Sequence, residues 1–99
     1  MPFKVSKVEG VGAKMRALAT LASLAGLRQS YMAALLKMYE KLAIDPLGWG
    51  DPIFRQPHKG GIICHALVGP IVVHYSVHEP ENTVFIMDVK PLFEWPIRP

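Results

Sequence analysis

Residues 13–42 contain no proline and a single glycine, Gly26, and this feature limits the fold more than any other. Apolar side chains recur there at helical spacing, with charged side chains largely between them. The pattern predicts two helices, at about 13–25 and 28–43, joined near Gly26 as an antiparallel hairpin. Pro46 ends the second helix, because proline lacks a backbone donor and restricts the residue before it. The apolar positions are Met15, Leu18, Ala22 and Ala25, then Tyr31, Met32, Leu35, Leu36, Tyr39 and Leu42.

The second half of the chain changes to strand-like segments. Residues 62–68, 71–78 and 83–90 are rich in β-branched and aromatic side chains and are separated by turn-forming residues. They predict a three-stranded antiparallel meander. Residues 45–61, dense in glycine and proline, are expected to form a long loop, and residues 3–8 a short strand or arm. The predicted class is therefore α+β: strand or arm, helical hairpin, then meander.

Composition places the chain among folded, single-domain proteins. Its 99 residues are 51% hydrophobic and 19% charged, which allows one core and excludes disorder. A single cysteine, Cys64, excludes an intramolecular disulfide. The sequence shows neither a signal peptide nor an apolar run long enough to span a bilayer. We therefore expect one cytoplasmic domain over residues 1–99, with no membrane partner.

The C-terminal tail, residues 91–99, holds three prolines and is expected to be irregular. Its apolar side chains must cover some apolar surface, and two choices stay open. They pack on this domain, or they anchor a partner such as a second copy of the chain. The side chains concerned are Phe93, Trp95 and Ile97.

Basic residues and histidines belong to different parts of the chain. The net charge is +3, and seven of the eleven lysines and arginines lie in residues 1–50, whereas all four histidines follow. This balance permits an anionic partner without requiring one. The side chains that can hold phosphate are Arg55 and Lys59 in the loop, Lys90 at the end of the last strand, and the helical Arg28 and Lys37, together with Lys14, Arg16 and Lys41. A solvated surface is the alternative for each of them.

The turns set the register of the meander, and register decides which side chains share a face. The expected pairs are Cys64–Tyr75, His65–His74 and, across the second turn, Val73–Asp88. One face is then apolar, includes Tyr75 as a structural residue, and lies under the helices. The other face carries His65, His74 and His78 among apolar neighbours, which is the composition of a binding floor.

Three imidazoles on one face suggest acid–base chemistry. Histidine titrates near neutral pH, and cleavage of RNA without a metal needs a base for the 2′-hydroxyl and an acid for the leaving oxygen. The alternative is that His65, His74 and His78 are solvated or covered by a partner. A metal site is less favoured, because zinc needs a third or fourth ligand and Cys64 points to the other face.

The order of elements resembles the RelE/ParE-type toxin superfamily. A basic helical hairpin ends in Leu42-x-x-Asp45-Pro46 and is followed by a Gly/Pro-rich segment and a meander. Residues 72–79 (VVHYSVHE) and 83–89 (TVFIMDV) are similar to the last two strands of that family, with Tyr75 at the expected place. The resemblance covers residues 3–92.

This resemblance implies a small toxin that is blocked by a small antitoxin wrapped around it. RelE-like members cleave messenger RNA in the ribosomal A site without a metal, whereas ParE-like members inhibit DNA gyrase. It therefore implies a metal-independent endoribonuclease that needs no cofactor, with the antitoxin, the ribosome and mRNA as partners.

The chain departs from the ribonuclease pattern at several basic positions. Ile71 and Val72 stand near the position where many RelE-like members carry an arginine. Many members also have a basic cluster after the last strand, whereas Lys90 is followed by Pro91 and Leu92. His65 stands where those members have a basic residue in the first strand of the meander. Either the three imidazoles replace the arginines, or the chain is a non-catalytic binder, such as a gyrase inhibitor or a degenerate toxin. A plain protein-interaction domain is the third alternative.

Overall fold

The computed structural model describes residues 2–56 and 61–96, with backbone alone for residues 53–56. Over these residues the chain forms three helices and five strands. In chain order they are β1 (Lys4–Lys7), α1 (Val11–Leu24), α2 (Arg28–Ile44), α3 (Pro46–Trp49), β2 (Asp51–Gln56), β3 (Gly61–Val68), β4 (Ile71–His78) and β5 (Thr83–Pro91). The strands form one sheet in the order β1-β5-β4-β3-β2. β1 pairs with β5 in parallel, and the other neighbours are antiparallel. The predicted α+β class is confirmed.

Both predicted helices are present, with ends within two residues of the expected positions. Gly26 separates them with a φ of +74°, in the left-handed region that favours glycine. The backbone N–H of Leu27 then bonds to the carbonyl of Ala22 at 2.7 Å, which closes the end of α1. The hairpin therefore forms for the reason the sequence indicates, a glycine between two helical segments.

The buried stripe of α2 differs from the predicted one. Its buried side chains are Tyr31, Ala34, Met38 and Leu42. Leu36 is 73% exposed and Met32 is 46% exposed, although both are apolar. The prediction followed hydrophobicity, whereas the single stripe in contact with the core follows the three- and four-residue spacing that starts at Tyr31.

Tyr31 ties the two helices together. Its hydroxyl donates a hydrogen bond to the carbonyl of Met15 in α1 at 2.8 Å. Burial, with a smaller contribution from Tyr39, raises the pKa of Tyr31 to about 12. The phenol therefore stays neutral and remains a donor across the neutral pH range.

The prediction of a long loop over residues 45–61 is wrong for most of that segment. Residues 46–49 form the short helix α3 and residues 51–56 form the edge strand β2. The Asp45 carboxylate accepts a hydrogen bond from the N–H of Gly48 at 3.2 Å, which caps α3. Pro52 is tolerated because an edge strand leaves half of its backbone donors unpaired. The density of proline and glycine that indicated a loop thus marks a capped turn and a sheet edge.

The apolar face of the sheet packs under the helices, with Tyr75 at its centre. This side chain is fully buried, as predicted from the register. Its hydroxyl donates to the carbonyl of Pro46 at 2.5 Å, and its ring stacks on Trp49 with centroids 5.9 Å apart. Burial raises the pKa of Tyr75 far above its ordinary value. Tyr75 therefore fastens α3 to the middle of the sheet.

The tail covers this domain through Trp95. The indole is 6% exposed and meets the ring of Tyr31 edge-on, with centroids 5.9 Å apart. Its Nε1–H donates to the carbonyl of Pro70 at 3.2 Å. Phe93 is half exposed, and Ile97 lies outside the described residues. The first of the two choices left open for the tail thus holds for Trp95.

None of the helices in residues 2–56 and 61–96 has the length and hydropathy needed to cross a membrane.

Substitution at Gly50 tests the packing around Tyr75. A Cβ at Gly50 would overlap the Tyr75 hydroxyl oxygen and lie 2.6 Å from the carbonyl oxygen of His65. We expect Gly50→Ala to lower the free energy of unfolding by about 1–3 kcal/mol, as overpacking does. Urea denaturation measures this change.

The matched control is Gly12→Ala, because a Cβ there finds its nearest neighbour, Arg16, at 3.6 Å. Alanine in a helix is favoured over glycine, so this variant is expected to gain about 0.5 kcal/mol. Equal effects of the two substitutions would contradict the packing described here.

Candidate active site on the histidine face

A β-bulge decides which side chains of β5 join the face opposite the helices. The first hairpin has the predicted register, with Cys64 opposite Tyr75 and His65 opposite His74. In the second hairpin Tyr75 still lies opposite Ile86. The next pair is His74 with Asp88, so Met87 is an extra residue.

This bulge makes the predicted pairing of Val73 with Asp88 wrong. Val73 pairs with Val89 instead, and both are fully buried. Directly opposite residues of antiparallel strands share a face. Asp88 and Lys90 therefore leave the core face and stand beside His74 on the open one.

The bulge has a signal in the sequence that alternation alone does not show. Val84 and Ile86 occupy even positions of β5, but the next buried apolar residue is Val89. A step of three where a strand has a period of two indicates one inserted residue. This step could have assigned Asp88 to the histidine face.

Five side chains from four elements meet at this point, and we call them the His74 cluster. The rings of His65 and His74 are nearly perpendicular, with centroids 6.1 Å apart. Asp88 Oδ1 lies 2.5 Å from Lys14 Nζ, and Asp88 Oδ2 lies 3.5 Å from Lys90 Nζ. Two imidazoles, two ammonium groups and one carboxylate thus share the open face of the sheet.

Lys14 comes from α1, although that helix packs on the other face of the sheet. Pairing of β1 with β5 ends at Lys7 and Ile86, so the edge of β5 is free of β1 from Met87 onward. α1 begins at Val11, just after β1. Its first turns therefore lie beside this edge, and the long Lys14 side chain reaches Asp88 from there.

The surroundings of His74 favour its neutral form. Burial lowers the pKa of His74 below the ordinary value of 6.5, and the positive charge of Lys90 lowers it further. Asp88 opposes this effect, while His65 and Lys14 add to it. At pH 7 the imidazole is therefore unprotonated and able to accept a proton.

Asp88 keeps its charge despite being half-buried. Burial by itself raises the pKa of the carboxyl, but the hydrogen bond and charge of Lys14 outweigh it and leave the pKa lowered. The backbone N–H of Val89 donates to the same oxygen at 2.9 Å, and Lys90 contributes the remaining attraction. The hydrogen bond from the backbone of Val89 thus helps to hold the Asp88 carboxylate in place.

His78 lies apart from the other two histidines. Four residues separate it from His74 along β4, a distance of about 13 Å in a strand. Its Nε2 is 2.6 Å from the hydroxyl oxygen of the buried Ser76, and its ring meets Phe85 edge-on. The structure therefore brings together His65 and His74 and leaves His78 in a different environment.

The predicted phosphate-binding side chains that the structure describes lie in two separate places. Lys90 is in the His74 cluster, whereas Arg28 and Lys37 are exposed on α2, which packs on the opposite face of the sheet. The backbone of Arg55 lies in β2 opposite Ile62. The side chain of Arg55, and all of Lys59, are outside the described residues.

Metal-binding side chains do not gather in the part of the chain that the structure describes: it contains no group of three His, Cys, Asp or Glu placed to hold an ion. Cys64 is fully buried on the core face, and burial raises the pKa of its thiol. Among the described side chains, the His74 cluster offers imidazole, ammonium and carboxylate groups.

Titration of His74 by NMR tests these electrostatics. We expect its pKa to lie below 6.5 in the wild type. Lys90→Gln removes a positive neighbour and should raise the pKa, whereas Asp88→Asn removes the opposing negative charge and should lower it. Lys41→Gln, a change on α2, serves as the control and should leave the value unchanged. A rise with Asp88→Asn would contradict the arrangement.

Comparisons with known proteins identify the architecture. No family model matches the chain, and no curated protein matches it. Among solved structures, a chain of the archaeal RelE–RelB complex from Pyrococcus horikoshii OT3 is 18% identical with a TM-score of 0.68, and the match covers 92% of this chain and 96% of that one. A chain of the toxin–antitoxin complex RelBE2 from Mycobacterium tuberculosis is 20% identical with a TM-score of 0.65, and covers 92% of both. The chain therefore has the RelE-type fold.

Proposed function

We propose that this protein is the toxin of a RelE-type toxin–antitoxin pair and that it cleaves messenger RNA on the ribosome. The fold supports this assignment, because the similar structures are complexes of RelE with RelB and of a toxin with its antitoxin. The observation that carries the proposal is the adjacency of His65 and His74 on the open face, with two lysines beside them.

The proposed reaction uses the RNA's own 2′-hydroxyl as the nucleophile. Neutral His74 takes the proton from this hydroxyl, and the 2′-oxygen attacks the adjacent phosphorus. The bond from phosphorus to the 5′-oxygen breaks, and the imidazolium form of His65, on the neighbouring strand, gives this oxygen its proton. The step leaves His74 protonated and His65 neutral. The products are a 2′,3′-cyclic phosphate and a 5′-hydroxyl, so atoms and charge balance without a metal or cofactor.

Lys90 serves this reaction as a cation beside the phosphate. Negative charge builds on the phosphate oxygens during attack, and a fixed ammonium group stabilises it. This role replaces the arginines that the chain lacks at Ile71 and Val72. Arg28 and Lys37, on α2, are proposed to contact RNA phosphates as point charges, and the same role is proposed for Arg55 and Lys59. His78 is assigned a smaller role because of its distance from His74.

The proposed antitoxin has a surface available to it between α1 and α2. Met32 is 46% exposed there. A shallow groove nearby is mostly apolar and has two basic side chains, Lys7 and Arg16, in its lining. An amphipathic segment with acidic residues on its polar side would complement such a groove.

A cell-free bacterial translation reaction, with cut sites mapped by primer extension, tests the function. We expect cuts only on translated message. The double variant His65→Ala/His74→Ala should reduce cutting by at least about 100-fold, because general acid and base each contribute about that factor. His78→Ala should retain most of the activity, and circular dichroism confirms that each variant is folded.

The other outcomes separate the alternative functions. Uncut message with growth arrest in cells would indicate another target, such as gyrase. Uncut message without arrest would indicate an interaction domain on the same fold. Cutting that survives the double substitution would contradict the histidine mechanism while leaving the toxin assignment intact.

A further inference from the structure

The ion pair between Lys14 and Asp88 joins α1 to the far side of the sheet, and its exposure argues against a purely structural role. The Lys14 side chain is 41% exposed and that of Asp88 is 27% exposed. Ion pairs this exposed add little to the free energy of folding. The second lysine at the same carboxylate, Lys90, is 54% exposed. Both ammonium groups are therefore reachable from solvent.

The arrangement of Lys14, Asp88 and Lys90 suits the binding of a phosphate group. One oxygen of Asp88 faces Lys14 and the other faces Lys90, as the two non-bridging oxygens of a phosphodiester would. An ammonium group has three donors, so binding Asp88 leaves each lysine able to take a second anion. His74 lies directly opposite Asp88 in the sheet, so an anion held here lies next to the imidazole.

We propose that Lys14 is a phosphate-binding residue of this site and that Asp88 is its resident counter-ion, which a phosphate of single-stranded RNA replaces as the partner of Lys14 and Lys90. The proposal rests on the proposed function for the identity of the anion. Asp88 stays in place during the exchange because the N–H of Val89 also holds it. The carboxylate thus keeps two like-charged lysines together in the free protein and lowers its affinity for RNA.

Two substitutions at this ion pair give opposite expectations. Lys14→Gln removes a phosphate ligand, so it should weaken binding about fivefold and reduce the dependence of affinity on salt by about one phosphate contact. Asp88→Asn removes the competing anion and keeps an oxygen for the lysines, so it should tighten binding about threefold or more at low salt. A purely structural ion pair predicts that Lys14→Gln weakens binding no more than the loss of another exposed lysine does.

The measurement is fluorescence anisotropy with a labelled 2′-O-methyl oligoribonucleotide, which has no free 2′-hydroxyl and is not cleaved. Binding is followed from about 50 to 200 mM salt, the range over which phosphate contacts are lost. Lys4→Gln is the matched control: it removes one positive charge from an exposed position of β1, at the end of that strand that pairs with Thr83, and affinity should change less than twofold.

The results distinguish this proposal from the proposed function. Opposite changes for Lys14→Gln and Asp88→Asn support the phosphate site even when translated message stays uncut. Absence of oligonucleotide binding by the wild type, weaker binding by Asp88→Asn, or an equal loss with Lys4→Gln would overturn it even when message is cut. Should Lys14→Gln not fold, the direction of change in Asp88→Asn decides.

Discussion

The burial of Tyr75 is the constraint on which the arrangement of the open face depends. Its hydroxyl bonds to the carbonyl of Pro46, and its ring has no exposed surface. Because side chains alternate along a strand, fixing Tyr75 inward fixes His74 and Ser76 outward. A slip of β4 by one residue would bury an imidazole and expose a phenol, which would lose the hydrogen bond and the stacking on Trp49. The core thus sets the position of the site.

The bulge in β5 converts this fixed strand into a site. Without the extra residue at Met87, Asp88 would lie on the core face, where a carboxylate is costly to bury. With it, Val89 takes the buried position, and Asp88 moves to the open face beside His74. A single inserted residue therefore serves both the core and the cluster. The end of β1 at Lys7 leaves the edge there open to Lys14.

The features that the sequence predicts are those fixed by local rules. The helical hairpin follows from Gly26, and the pairing of His65 with His74 follows from the tight turn at Gly69. β2 is missed because an edge strand gains its stability from pairing with β3, which Pro52 and the neighbouring glycines conceal. The contact of Lys14 with Asp88 is missed because α1 and β5 meet only in the tertiary fold. Sequence reasoning therefore identifies the imidazoles and Lys90, and misses that Asp88 and Lys14 lie beside them.

The charges of the cluster bear on stability as well as on chemistry. The folded protein lowers the pKa of His74 below the 6.5 of an ordinary histidine, so the unfolded chain binds a proton more readily. This contribution favours unfolding as the pH falls below about 6.5, and it levels off below the folded pKa. Asp88 acts in the opposite sense, since its lowered pKa gives stability at neutral pH that is lost only in acid. Both effects on stability are small, because the site is partly exposed to solvent. The carboxylate of Asp88 also balances part of the charge of Lys14 and Lys90, so the two lysines can lie close together beside His74.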